Sequence, residues 1–269
     1  MIIANANSTS SRQIAQLSSN PGVVTENLVL HLDAGQTDSY PGSGLIWKDI
    51  SGNGYNGRIE NGTSYDGDEG SFVFDGSDDY IDLSVYVSNL IFDSPASIDF
   101  WFKPALDKNT AGVIFSVGNG LDIYNTDSFV ISNGNWTGAL TGETISVHKF
   151  INGLTNPSEI SSRSTDVGTS VDYQNTWTCV TVVVESNTFK VYINGIEKTL
   201  SSGYGTGNLF TYGENISPEI FAYLGARSLS SGPTTNLNGS ISNFRLYSKA
   251  LNEEEVTQNY NALKSRFGL

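Results

Sequence analysis

Thr176-Trp177-Thr178-Cys179-Val180-Thr181-Val182-Val183-Val184-Glu185-Ser186-Asn187-Thr188-Phe189-Lys190-Val191-Tyr192-Ile193-Asn194-Gly195-Ile196-Glu197-Lys198-Thr199-Leu200 reads as three strands joined by two tight turns. β-Branched and aromatic residues fill the runs, and these side chains fit a pleated, half-buried surface. Ser186-Asn187 and Asn194-Gly195 supply residues that tolerate the special angles of a two-residue turn, and Asn-Gly is favoured in type I′. The expectation is an antiparallel meander of Thr176–Glu185, Thr188–Ile193 and Ile196–Leu200.

The same two-residue period extends outward through the chain. In Leu28-Val29-Leu30-His31-Leu32-Asp33 the leucines share one face, and His31 and Asp33 take the other. Further strands are expected at Leu45–Ile50, Ser71–Asp75, Tyr80–Leu83, Ser97–Lys103, Gly112–Val117, Leu121–Tyr124 and Ser128–Ser132. Thr144–Ile151, Glu219–Leu224 and Gly239–Tyr247 complete the series. Ile98, Phe100 and Phe102 alternate cleanly, which leaves Trp101 on a second face that is not wholly wet. Parallel pairs need long crossovers, and helical periodicity is almost absent before Leu251, so the fold class is all-β with two packed antiparallel sheets.

The C-terminus breaks the pattern. Asn252 followed by Glu253, Glu254 and Glu255 has the form of an N-cap with an acidic first turn. Val256, Tyr260, Leu263 and Phe267 form one apolar stripe, and Gly268 is a stop. A helix over about 252–267 should therefore pack on the sandwich.

Residues 1–26 are read as an arm and 27–269 as the domain. Within the polar stretch Asn5–Asn20 only Ile14 and Leu17 are sizeable and apolar, three apart after a Ser10/Ser11 cap. Such a segment cannot bury enough surface to fold alone. It is either an unstructured tail or an assembly contact that orders against a neighbouring subunit through Ile14 and Leu17.

The formal charge of −14, with 14 basic residues scattered among 28 acidic ones, argues against nucleic acid and against an anionic membrane as partners. No apolar run approaches the length of a transmembrane helix. The opening Met1-Ile2-Ile3-Ala4-Asn5 lacks the basic region of a secretion signal, from which the protein is expected to act where it is made or to leave as part of an assembly. A single cysteine, Cys179, excludes an internal disulfide and reads as a small buried hydrophobe. Five N-x-[ST] strings are read as chance in so Asn-, Ser- and Thr-rich a chain.

Enzyme signatures are absent. Gly52-Asn53-Gly54-Tyr55-Asn56-Gly57 spells a dinucleotide fingerprint, but strand-like rather than helical sequence follows it. No strand carries alternating carboxylates in the E-x-D-x-E pattern that would set a glycosidase pair on one face. Asp49, Ser51 and Asn53, with Glu60 eleven residues after Asp49, resemble an oxygen-ligand loop for Ca²⁺, and the same residues also suit a Gly-rich β-turn. Asp75 and Asp78, in Asp75-Gly76-Ser77-Asp78-Asp79, form a second acidic knot that could hold a cation. For sugar stacking the candidates are Trp136, in Asn133–Gly138, and Tyr204, Phe210 and Tyr212 in the Gly/Ser-rich stretch 201–217.

Taken in order, several segments resemble one family: Asn27–Gly35, Trp47-Lys48-Asp49-Ile50-Ser51-Gly52-Asn53-Gly54, Phe74–Ile81, Val191-Tyr192-Ile193-Asn194-Gly195, Leu237–Ile241 and Phe244–Leu251. The set is similar to the laminin-G-like/concanavalin A-like jelly roll over nearly all of 27–269. The opening through Gly57 resembles versions in virion structural proteins of tailed bacteriophages, notably cyanophages. That resemblance implies a non-enzymatic capsid decoration or fibre protein on the virion surface. It would be made in the host cytoplasm, docked to other virion proteins through its arm, homo-oligomeric, and adhesive to host glycans. Ser242-Asn243 stands where many calcium-binding members carry an acidic residue, which weakens any transferred metal site. The competing functions are a free-standing carbohydrate-binding module or lectin and, third, a glycan-cleaving enzyme.

Overall fold

The computed structural model describes residues 22–84, 95–105, 112–118, 128–133, 145–150, 160–164, 175–185, 188–202, 221–227 and 231–269. Every strand pairing among them is antiparallel, in two sheets.

The first sheet holds β1 (Leu28–Asp33), β4 (Ser64–Asp66), β5 (Ser71–Asp75), β7 (Ala96–Pro104), β12 (Thr178–Glu185), β13 (Thr188–Ile193), β14 (Ile196–Lys198) and β17 (Asn238–Tyr247). The expected meander is its outer third, except that the third strand stops at Lys198 and Leu200 opens a strand of the second sheet: Glu185 faces Thr188, and Ile193 faces Ile196. Asn194 and Gly195 have φ of 52° and 78°, the left-handed pair that a type I′ turn demands. β17 is the central strand. It pairs along one edge with β7, and along the other with β5 and then β1, which lie end to end.

The second sheet runs β15 (Leu200–Ser202), β11 (Ile160–Ser164), β10 (Ile145–Phe150), β9 (Ser128–Asn133), β8 (Gly112–Gly118), β16 (Phe221–Leu224), β6 (Tyr80–Asp82), β3 (Gly57–Glu60), β2 (Ile46–Trp47). β2 is shorter than the expected Leu45–Ile50, and the expected strand Leu121–Tyr124 lies outside the described residues. The Gly52–Gly57 string leads into β3, a strand, so no helix N-terminus meets it.

One apolar layer fills the space between the sheets. Leu30, Leu32, Phe72, Phe74, Ile98, Phe100, Phe102, Phe244 and Leu246 come from the first, and Trp47, Ile59, Ile81, Phe115, Phe129, Ile131 and Leu224 from the second. Fully buried side chains of this kind each contribute about 1.5–3 kcal/mol. Helix α1 (Glu253–Leu263), continued by a 3₁₀ turn (Lys264–Phe267), covers the outer face of the first sheet. Asn252 Oδ1 accepts the Glu255 N–H at 2.9 Å and Glu255 Oε2 accepts the Asn252 N–H at 3.0 Å, a complete capping box. The expected stripe does the packing. Val256 is fully buried, Tyr260 stacks on Trp101 at 5.7 Å, and Phe267 sits on Trp101 at 4.3 Å and Trp177 at 4.7 Å.

The folded body begins earlier than the expected boundary at residue 27. Val24 is buried; its N–H donates to Asn259 Oδ1 at 2.8 Å and its carbonyl accepts from the Tyr247 hydroxyl at 3.1 Å. Gln258 Nε2 donates to the Gly22 carbonyl at 2.8 Å. Alternating apolar residues are not needed here because side chains of β17 and α1 hold this backbone directly. Ile14 and Leu17 lie outside the described residues.

Beneath α1 the first sheet carries a polar layer. His31, Arg245, Asp99 and Thr181 stand side by side on β1, β17, β7 and β12. Arg245 pairs with Asp99 through Nε at 2.9 Å and also through Nη2, and Thr181 Oγ1 donates to the same carboxylate at 2.7 Å. Burial would lower the Arg245 pKa, but the Asp99 carboxylate raises it further, so the guanidinium is firmly charged. Arg266 ties the 3₁₀ turn down through Asp33 at 2.7 Å and the Ser242 hydroxyl at 2.8 Å. The sequence placed His31 and Asp33 away from the leucines, and they lie there, under the helix.

Candidate functional site

The two sheets differ on their outer faces. The first is roofed by α1. On the second, Ile59, Ile81, Ala222 and Leu224 point into the core, so alternation turns Arg58, Glu60, Tyr80, Asp82, Phe221 and Tyr223 outward. Pairing brings them together: Glu60 lies opposite Tyr80, Arg58 opposite Asp82, and Asp82 opposite Tyr223. The Tyr80 and Tyr223 rings are 4.9 Å apart and tilted by 58°, and Phe221 follows 6.3 Å from Tyr223. Tyr80, Phe221 and Asp82 are half-buried, Tyr223 is buried beneath them, and the Arg58 side chain is largely exposed. Arg58 Nε meets Glu60 Oε1 at 2.8 Å.

Burial, and then the neighbouring carboxylates Glu60 and Asp82, raise the Tyr80 hydroxyl pKa. Burial followed by Asp82 pushes Tyr223 up to about 12. Both phenols are therefore neutral donors at any physiological pH. The patch offers apolar ring surface, hydroxyl donors, carboxylate acceptors and one guanidinium, the mixture that a polyhydroxylated ligand needs.

The loop from β5 to β6 runs directly into Tyr80. Here Asp75, Asp78 and Asp79 can each bring a carboxylate oxygen within 4.8 Å of the others. Asp79 is buried, and burial with the charges of Asp75 and Asp78 raises its pKa, although the Asp75 N–H donates to Asp79 Oδ2 at 2.9 Å. Asp75 Oδ1 accepts from the Ser77 N–H at 2.7 Å. Asp78 has no such bond among the described residues, so the knot keeps oxygens for a cation and fits the hard-ligand chemistry of Ca²⁺.

The other proposed cation loop does not assemble. Asp49 Oδ1 accepts the N–H groups of His31 and Ser51 at 2.9 and 2.8 Å, and Oδ2 accepts the Ser51 hydroxyl and the Tyr55 N–H at 2.8 and 3.0 Å. Asn53 Nδ2 donates to the Val29 carbonyl at 2.8 Å, and Glu60 is on the outer face of the second sheet with Arg58. Asp49, Ser51, Asn53 and Glu60 are thus not one ligand set. The lone pairs of Asp49 build a turn that pins the loop to β1. Trp136, Tyr204, Phe210 and Tyr212 lie outside the described residues. Cys179 is buried against Asp99, and burial, then that carboxylate, push its thiol pKa well up, as befits a packing residue.

A family model of the concanavalin A-like lectin/glucanases superfamily, of laminin-G type, matches residues 75–257. The chain belongs to this superfamily. Within the lectin/glucanase fold, domain 4 of AbnA, an extracellular arabinanase of Geobacillus stearothermophilus, seen in complex with arabinotriose, is similar with a TM-score of 0.57 and 21% identity. The match covers 87% of this chain and 98% of that one. Trypanosoma rangeli sialidase in complex with sialic acid is similar at TM-score 0.57 and 15% identity, covering 89% of this chain and 33% of that one. The ligand binding domain of botulinum neurotoxin serotype D with N-acetylneuraminic acid gives 0.55 and 17%, covering 88% and 51%. At these identities the likeness is one of fold, and the chain spans only part of the latter two proteins. No curated protein matches it in sequence.

The open face escaped the sequence reading even though its strands did not. Tyr80–Leu83 and Glu219–Leu224 were expected strands whose alternation already opposes Tyr80 and Tyr223 to the core. That β6 and β16, far apart in the chain, lie side by side is a matter of topology.

Proposed function

We propose that this protein is a non-catalytic carbohydrate-binding module that engages glycans on the outer face of the second sheet. The observation that carries this is the asymmetry of the sandwich. One face is buried under α1, while among the described residues the other carries half-buried Tyr80 and Phe221, with the buried Tyr223 ring packed between them, beside Glu60, Asp82 and Arg58. Aromatic rings cover the apolar faces of a pyranose or furanose ring, and carboxylates and phenols bond its hydroxyls. The lectin/glucanase family and solved relatives seen with bound sugars support the reading. Glu60 Oε1 accepts from Arg58 Nε at 2.8 Å, and in this reading Glu60 and Asp82 serve as acceptors for ligand hydroxyl groups.

The test is a glycan array with wild type and Tyr80→Ala, followed by calorimetry on the best ligand. Replacing a half-buried ring at the site should weaken binding at least about tenfold, with far-UV circular dichroism unchanged. Equal binding by the two proteins moves the site elsewhere, and release of reducing sugar from any bound glycan refutes the non-catalytic part.

A second reading, that the module decorates a viral particle, is favoured by one observation. Residues 22–26 are laced to α1 and β17, so the chain enters on the roofed side and the open face points away from it. Deleting residues 1–21 should abolish incorporation into particles, and normal incorporation would end that reading.

A further inference from the structure

The charges around the open face select among sugars. We infer, building on the glycan-binding reading above, that this site takes uncharged glycans and rejects those bearing carboxylate or sulfate groups. Among the described residues, Arg58 is the one cation on the outward face of β3, β6 and β16; Glu60 and Asp82 stand on the patch itself, and Asp75, Asp78 and Asp79 stand at its rim where the strand of Tyr80 begins. Arg58 is paired with Glu60 through Nε at 2.8 Å, and its side chain is exposed, so the carboxylate offsets its charge and water screens what remains. An anionic sugar laid on Tyr80 would bring its charge next to Glu60, which lies directly opposite Tyr80 on the neighbouring strand, and to Asp82 on the same face.

Recognition of a sugar carboxylate needs the reverse arrangement, a guanidinium free to offer both N–H groups. The formal charge of −14 on the whole chain adds a long-range repulsion that slows the approach of anionic polymers. Hydroxyl groups meet no such penalty. They can donate to Glu60 and Asp82, and they can accept from the neutral phenol of Tyr80. The selection is therefore made by repelling the wrong ligand as much as by holding the right one.

The experiment is an array of neutral, sialylated, uronate-containing and sulfated glycans, probed with the full chain in EDTA. Calorimetry then compares the best neutral ligand with its sialylated counterpart, in wild type and in a Glu60→Gln/Asp82→Asn variant. Wild type should bind neutral glycans at least about tenfold more tightly than the sialylated forms, and removing the two charges should narrow that gap about tenfold. Both side chains are half-buried on the outer face of the sheet, and the single changes Glu60→Gln and Asp82→Asn repeat the comparison should the pair unfold. Tight binding of anionic glycans in EDTA, lost in Tyr80→Ala, would overturn the charge inference while leaving the glycan-binding face intact. Binding of no glycan of either kind would sink the glycan reading itself, and the inference with it.

Discussion

Changing Asp99 to asparagine should cost the fold about 3 kcal/mol. Both members of the Asp99–Arg245 pair have wholly buried side chains, in a layer closed on one side by the sheet and on the other by α1. Asparagine is nearly isosteric, so packing is preserved and the change isolates charge. It leaves Arg245 ionised with no counter-ion in contact, and it withdraws an acceptor from the Thr181 hydroxyl. Removing one partner of a buried ion pair typically costs about 3–5 kcal/mol; asparagine keeps one carbonyl acceptor, which places the expectation at the lower end. Urea unfolding followed by tryptophan fluorescence suits the measurement, because Trp101 and Trp177 lie under the same helix. At about 2–4 °C per kcal/mol the melting point should drop by roughly 6–12 °C. The double replacement Asp99→Leu/Arg245→Met should be less damaging than Asp99→Asn alone, since it removes the stranded charge. A single variant within about 1 kcal/mol of wild type would refute the reasoning, and so would a double variant worse than the single.

Two more outcomes follow from His31 and from the acidic knot. Burial, followed by the charge of Arg245, lowers the pKa of His31 from 6.5 to about 4. The unfolded chain takes up this proton near pH 6.5 and the folded one only near 4, so the stability is fully present above that window and about 3 kcal/mol is lost as pH falls through it. The urea midpoint should fall between pH 7 and 4.5 in wild type and fall less in His31→Gln; parallel slopes would rule out His31 as the source. At the acidic knot, calcium at ten to a hundred times its Kd should stabilise wild type by roughly 1.4–2.7 kcal/mol, and Asp78→Asn should lose that gain. Melting curves unmoved by calcium in both proteins would remove the ion.

The sequence made the sandwich and its helix legible because both rest on local signals. Two-residue alternation specified the core strands, Asn194-Gly195 specified a turn, and Asn252 with Glu255 specified a cap. Strands with little apolar content escaped: β4 is Ser64-Tyr65-Asp66, and β11 has Ile160 as its one sizeable apolar residue. They are strands because a neighbour supplies hydrogen bonds, which no local pattern announces. The Asp49 loop looked like a cation site because an Asx turn and a metal loop spend the same residue types, and only the four donors around its carboxylate separate them. The ion pair of Asp99 with Arg245 joins residues 146 positions apart, beyond the reach of any spacing rule.

The position of β17 bears on how the protein is made. This strand supplies the partner edge for β1, β5 and β7, yet it is translated after all three of them. Leu28–Asp33 and Ser71–Asp75 therefore wait, unpaired on that side, until residue 247 has been translated. Vectorial synthesis cannot fold this sheet piece by piece, and the nascent apolar strands must be shielded meanwhile. A premature stop anywhere before residue 238 would release a chain with no central strand, which quality control should clear by proteolysis rather than a shortened but functional domain.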